Sequence, residues 1–253
     1  MRRARRTPPA FERGGTPAQL LKLVNRILLG VLILFVVVIV FRQGLVPARY
    51  TPLPRLDLEN PLPLVVDWQI AELRFDRELC RDTIASSEII EARQVADRPK
   101  QKGCGWTNAV RISEAGGAKF SAGPLSCQAA AAFALWVQYE VQPAAERIFG
   151  QRVRSIQNFG TYSCRNIIGS RFWKNRRSEH ATANAIDVAK FRLADGTQIS
   201  VLRDWNGKGK KAEFLRAVNK GGCRFFRVTL GPDFNRAHRD HFHFDRGQLW
   251  SCR

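Results

Sequence analysis

The sequence predicts an α+β domain: a small, mostly antiparallel sheet with flanking helices, preceded by one N-terminal transmembrane helix. Three observations carry this. Helix-like patterns come early and alternating, strand-like patterns dominate later. The stretch LADGTQISV holds an Asp195-Gly196 turn leading into a further strand, a hairpin signature. The run ILLGVLILFVVVIVF, Ile27 to Phe41, has no charge and no strongly polar group.

The elements follow in order. Residues 1–19 form a basic tail opened by MRRARR, and residues 20–42 read as a signal-anchor helix in which Lys22 and Arg26 snorkel to headgroups. A cleaved signal peptide is the alternative, although Val46-Pro47-Ala48 is a poor cleavage site because of its proline. Residues 43–63 carry five prolines and read as a linker, so the folded domain is expected over 64–253. Asp76 to Ser86 reads as a short helix, and Ala109 to Ile112 and Ala118 to Ser121 as short strands around Gly116-Gly117. The clearest helix starts at an N-cap, Ser126. It buries a stripe of Phe133, Trp136, Val137 and Val141, meets a kink at Pro143 and stops at Gly150. Val153 to Phe159 and Ala185 to Phe191 read as strands and Ala212 to Val218 as a helix. Phe225 to Leu230 and, last, His238 to Phe244 again read as strands.

The net charge is +19, and the first 42 residues, with eight Lys/Arg against Glu12 alone, hold only part of it. Such a surplus favours anionic partners, or is simply a solvated basic surface. The positive-inside rule keeps the basic flank in the cytoplasm and exports the chain beyond Arg42. The placement is then the inner membrane, single-pass, with the C-terminal domain in the periplasm, away from nucleic acid. The cysteines agree: Cys80, Cys104, Cys127, Cys164, Cys223 and Cys252 all come after the apolar run, as disulfides of an oxidising compartment do. Sequence leaves their pairing open, and no CxxC pair suggests a zinc knuckle.

Histidine is confined to two stretches. AHRDHFHFD, Ala237 to Asp245, holds His238, His241 and His243; SEHATANAID, Ser178 to Asp187, holds His180. On a strand His241 and His243 share one face and Phe242 and Phe244 the other. His180 and Asp187 are separated mainly by small residues, which let a chain bend closely past a metal or substrate. An imidazole, a carboxylate and a second imidazole with one position open make a catalytic zinc site. The plainer readings are a pH-sensitive surface cluster and, for Asp187, a turn cap.

The pattern Ser178, His180, Ala183, Ala185, Asp187 followed by His241 and His243 resembles the zinc peptidases grouped with D-Ala-D-Ala carboxypeptidases, murein endopeptidases and the hedgehog domain. Within that group GTYSCR (Gly160 to Arg165), SEHATANAIDVAKF and LGPDFNRAHRDHFHFD look like the bacterial extensin-like C-terminal domain family, over roughly Leu73 to Arg253. The resemblance implies zinc on an antiparallel sheet, with His180, Asp187 and His243 as metal ligands and His241 beside the metal. It also matches His238 to a site histidine. Ala183 stands where many relatives have Gly, at a position where a Cβ disfavours positive φ.

The expected activity is zinc-dependent hydrolysis of amide bonds in peptidoglycan stem peptides or cross-links. The alternative is a non-catalytic wall-binding or scaffolding module that retains zinc. Strand parity favours His241 as general base or oxyanion stabiliser; Asp240 comes second, because it falls on the opposite face unless a bulge turns it inward. Arg165 and Arg171 are candidate clamps for a substrate carboxylate. Trp173, Trp205 and Trp250 are candidates for a groove, or else core. Expected partners are peptidoglycan or another anionic envelope polymer, and the membrane through the N-terminal helix.

Overall fold

The computed structural model of the chain describes residues 17–46, 50–51, 53–169 and 171–253. The chain divides into two units, Met1–Val40 and Phe41–Arg253. Residues 1–16 of the expected basic tail, and Pro47 and Ala48 of the weak cleavage site, lie outside the described residues. Helix α1, Pro17–Arg42, has 26 residues and no buried side chain. At ~1.5 Å per residue it spans about 39 Å, more than the ~30 Å hydrocarbon core. It is long and apolar enough to cross a membrane, a property it shares with signal sequences.

In the second unit, helix α2 is Val66–Glu72 and α3 is Arg77–Ala85, where the Asp76 carboxylate accepts from Leu79 N as N-cap. Strand β1 is Ile90–Gln94, β2 Arg98–Gln101, β3 Cys104–Trp106, β4 Ala109–Ala115, β5 Ala118–Phe120 and β6 Leu125–Ser126. Ser126 caps α4, Cys127–Trp136. A π-turn over Val137–Val141 then leads to α5, Gln142–Phe149, which ends at Gly150 with φ 70°. After β7, Val153–Gly160, come β8, Ala185–Leu193, and β9, Gln198–Ser200. Helix α6 is Val201–Asp204 and α7 Lys210–Gly222. The chain finishes with β10, Val228–Leu230, β11, Phe242–Asp245, and β12, Ser251–Cys252.

Ten strands form one mixed sheet in the order β1-β4-β5-β7-β8-β11-β10-β12, with β6 on β4 and β9 on β8. Pairing is antiparallel except β5 with β7 and β10 with β12. The expected α+β class with a mostly antiparallel sheet therefore holds, but the sheet is not small. Several of its strands have two to four residues, too short to leave a periodic signal.

One face of the sheet is packed by α4. Trp136 lies 6.0 Å from Phe191 and 4.8 Å from Phe244, ring centre to ring centre, and its indole N–H donates to Val218 O of α7 at 2.8 Å. All ten residues of α4 are buried, not only the expected stripe, because other helices cover its outer side. At the expected kink the helix changes to the π-turn, and Pro143, which offers no N–H to the preceding turn, lies in the first turn of α5.

Two boundaries differ from expectation. Leu56 and Leu58, inside the proline-rich stretch, are core residues, and Tyr139 Oη donates to Leu58 O at 3.0 Å. The packed unit thus reaches back before residue 64; proline excludes regular structure without excluding burial. The last long run, His238 to Phe244, is not one strand. His238 ends a 3₁₀ turn, Arg236–His238, capped by the Asn235 side chain, and β11 begins at Phe242.

The pairing that sequence left open is Cys80–Cys127, Cys104–Cys164 and Cys223–Cys252, with sequence separations of 47, 60 and 29. Closing loops of this size in the unfolded chain corresponds to about 4 kcal/mol per bridge. The Cys223→Ser/Cys252→Ser pair is therefore expected to lose most of that in chemical denaturation, because Cys252 is exposed and its replacement leaves no cavity. An unchanged midpoint contradicts the pairing.

Candidate metal centre

The site is assembled on β8 and β11. Their antiparallel register sets His243 directly opposite Asp187, so both side chains leave the same face of the sheet. Phe242 and Phe244 leave the other face and are fully buried in the core. His180 arrives from a 3₁₀ turn, Glu179–Thr182, just before β8; Ser178 caps it by accepting from His180 N. The turn closes at Ala183 with φ 53°, the left-handed conformation that suits glycine and that the Ala at this position must adopt. Ala183 O accepts from Ser126 N at 2.7 Å, and the Asn184 carboxamide is held by Ser126, Gln128 and Glu179.

His180 Nε2 lies 3.1 Å from Asp187 Oδ1 and 3.1 Å from His243 Nδ1, and His243 Nδ1 lies 3.0 Å from Asp187 Oδ1. The outer nitrogens assign the tautomers. His180 Nδ1 faces Thr161 O at 3.3 Å, and a carbonyl only accepts, so Nδ1 carries the hydrogen. His243 Nε2 faces Asp245 Oδ2 at 3.0 Å and donates likewise. Two imidazole lone pairs and a carboxylate oxygen therefore converge, mutually repelling, on one point. Three donors at the corners of a tetrahedron around an ion with ~2.0 Å bonds stand about 3.3 Å apart. The donor set fits a cation, and the same three buried residues form the group able to hold one among the described residues.

The electrostatics express the same demand. Burial raises the Asp187 carboxyl, but in the metal-free chain the protonated His243 that donates to it, with His180 beside it, outweighs burial and holds it far below the usual carboxylate range. Burial lowers His243, yet Asp187 and Asp245 push it up to about 10, because a proton stands in for the cation. Burial moves His180 down. Asp245 Oδ1 also accepts from Gly247 N at 2.8 Å, so the carboxylate that orients His243 is itself fixed.

His241 and Asp240 come together in a way strand parity does not allow for. Both precede β11 in a turn, and the Asp240 carboxylate accepts from His241 Nδ1 at 2.9 Å. His241 Nε2 is thereby left as an acceptor, 3.6 Å from Asp187 Oδ1. His238 Nδ1 donates to Asn235 Oδ1 at 2.8 Å, and its ring is 5.3 Å from His241 and 5.8 Å from His243. Burial, then the neighbouring imidazoles, push His238 down to about 4, so it is neutral.

Beside this cluster opens a cavity of about 490 Å³ whose lining includes His238, His241, His243 and Arg165. Arg165 follows Cys164, which the bridge to Cys104 ties to β3; the same loop supplies the Thr161 carbonyl. Arg171 is exposed and does not line the cavity. Trp173 lines it, whereas Trp205 is buried against Phe242 and Trp250 is exposed elsewhere. Sequence reasoning missed Asp245, Thr161, Asn235 and Asn184. Asp245 was readable, two residues after His243 on one strand face; a backbone carbonyl such as Thr161 O leaves no signal.

A protein-family model described as extensin-like protein C-terminus matches residues 78–253. No curated protein and no solved structure matches the chain.

The shifts set a pH dependence for the metal-free chain. His180 and His238, both lowered from 6.5, contribute stability that is present above that value and lost as pH falls below it, for His238 through about 4. His243, raised to about 10, contributes stability present below 6.5 and lost as pH rises. With chelator, the melting temperature should peak near pH 6.5 and fall on both sides; a divalent cation should flatten the alkaline fall by replacing the His243 proton. A chelated chain that gains stability from pH 6.5 to 9 contradicts the assignment.

Proposed function

Because the chain belongs to the extensin-like protein C-terminus family, we propose that this member is a zinc-dependent hydrolase of the cell envelope that cleaves amide bonds in peptidoglycan stem peptides or cross-links. The observation that carries the reading is the convergence of three cation donors beside a cavity that also receives an oriented carboxylate–imidazole pair. The resemblance to zinc peptidases supports the choice of zinc, as does the donor set of two imidazoles and one carboxylate. Bound there, zinc supplies Lewis acidity toward a carbonyl oxygen and a water.

The chain's own groups do the rest. His241 Nε2 holds a lone pair at the cavity edge and accepts a proton as general base. Asp240 keeps that tautomer and stabilises the imidazolium that forms. His238, neutral and held by Asn235, presents its own Nε2 lone pair toward the cavity and accepts rather than donates there. Arg165 reaches the cavity with a fork that matches a carboxylate. The basic domain, tethered by α1, faces anionic wall polymer when it lies in the periplasm and α1 spans the inner membrane.

Two variants separate holding the metal from using it. His243→Ala leaves two donors, so zinc and muropeptide hydrolysis should be lost together. His241→Ala keeps all three donors, so zinc should stay near one per chain while hydrolysis falls ~10²–10⁴-fold. Asp240→Asn should fall less than His241→Ala. Elemental analysis and product mass on the full chain decide. Zinc retained by His243→Ala sinks the site, and wall binding without release in the unmodified protein identifies a scaffolding module instead.

Export is tested independently. A reporter active only outside the cytoplasm, fused after Arg253, should be active. Activity restricted to a cytoplasmic reporter removes the envelope from the proposal.

A further inference from the structure

The cavity beside the metal centre is not shaped for a small polar group. Its apolar lining is Ile167, Trp173, Leu230, Phe234 and Leu249, of which Leu230 pairs with His243 and Phe234 packs edge-on to His238. Three of these stay substantially wet, with Trp173 45%, Phe234 38% and Leu249 39% exposed. Its volume of about 490 Å³ lies within the ~300–1,000 Å³ of sites that enclose whole small molecules, and a methyl group leaves most of it filled with water. Covering that apolar wall is the favourable change a ligand can make there.

The charge around the same cavity has one sign to spare. Arg165, Arg176, Arg177 and Arg253 line it against two acids, Glu179 and Asp245. Both acids are committed: Glu179 accepts from Asn184, and Asp245 from His243 and Gly247. Arg177 is held by Lys102 O and Asn166 Oδ1, and Arg176 by Gln248. Among the described residues the Arg165 guanidinium reaches only the Asn166 carbonyl, at 3.5 Å, the limit of a hydrogen bond, so its fork is open to an incoming anion.

We infer that this cavity selects an amphipathic anion: a carboxylate for Arg165, carried on the same residue as a large apolar or aromatic group that fills the Trp173–Phe234–Leu249 wall. This goes beyond the hydrolase reading: it names a ligand class for the cavity itself, set by Arg165 and the apolar wall, and does not depend on the metal. A substrate ending in alanine leaves the wall uncovered. Each methylene buried there strengthens binding about fourfold.

The test uses the full chain in lipid nanodiscs, with N-acetylphenylalanine and N-acetylalanine of both configurations titrated calorimetrically and empty nanodiscs as control. The phenylalanine ligand of one configuration should bind at least about tenfold more tightly than its alanine counterpart. Leu249→Asp, at a partly exposed position, should erase that preference, and Phe234→Ala should reduce it; Arg165→Gln should weaken both ligands alike. Equal affinities, a preference that survives Leu249→Asp, or no binding of either ligand overturns the inference. Zinc content and muropeptide release are read on the same sample. Preference without zinc or release retains the ligand class and removes the hydrolase; release without preference does the reverse.

Discussion

Two imidazole lone pairs and a carboxylate oxygen held within 3.1 Å of one another are an arrangement that neutral chemistry does not sustain. Like partial charges at that distance repel, and burial removes the water that would screen them. Something positive must sit between them, a proton or a metal ion. Much of the surrounding structure holds the three donors in place against that repulsion. The β8–β11 register faces His243 to Asp187. The left-handed Ala183 brings His180 over the end of β8, and Thr161 O and Asp245 turn each ring so that its lone pair points inward.

The sheet separates this polar point from the core by strand alternation. Phe242 and Phe244 lock β11 against α4 from behind, while His243 and Asp245 work on the front. The end of β11 is fixed once more from α2. Arg246 and Arg227 are buried around the Asp67 carboxylate, which they hold below its ordinary range although burial alone raises it. Asp67 lies before the region matched by the family model, as do Leu56 and Leu58 of the core, so the folded unit of this chain is larger than the matched region. Buried guanidiniums sharing one carboxylate are costly, and removing Asp67 leaves Arg227 and Arg246 without their carboxylate, Arg246 being next to Asp245.

Legibility in the sequence followed the range of each interaction. Helix α3, the start of α4 and the stop at Gly150 were readable because capping and glycine chemistry act within one turn. His180, Asp187 and His243 converge in space, and they could be picked out beforehand because histidine is rare in this chain and confined to two stretches. Strand parity misplaced Asp240 for a nameable reason: it presumes a strand, and the Asn235 side chain had already turned the chain into a 3₁₀ turn. The burial of Leu56 and Leu58 and the disulfide pairing rest on contacts between distant segments, which periodicity does not encode. The cavity wall is likewise drawn from four separate loops and strands.

The most direct test of the central claim is X-ray absorption at the zinc edge on the full chain purified without added metal. The account predicts a first shell of nitrogen and oxygen at about 2.0–2.1 Å, with outer-shell scattering from two imidazoles and no sulfur at about 2.3 Å. A sulfur shell, or a chain that retains no metal and takes up none when zinc is supplied, contradicts it.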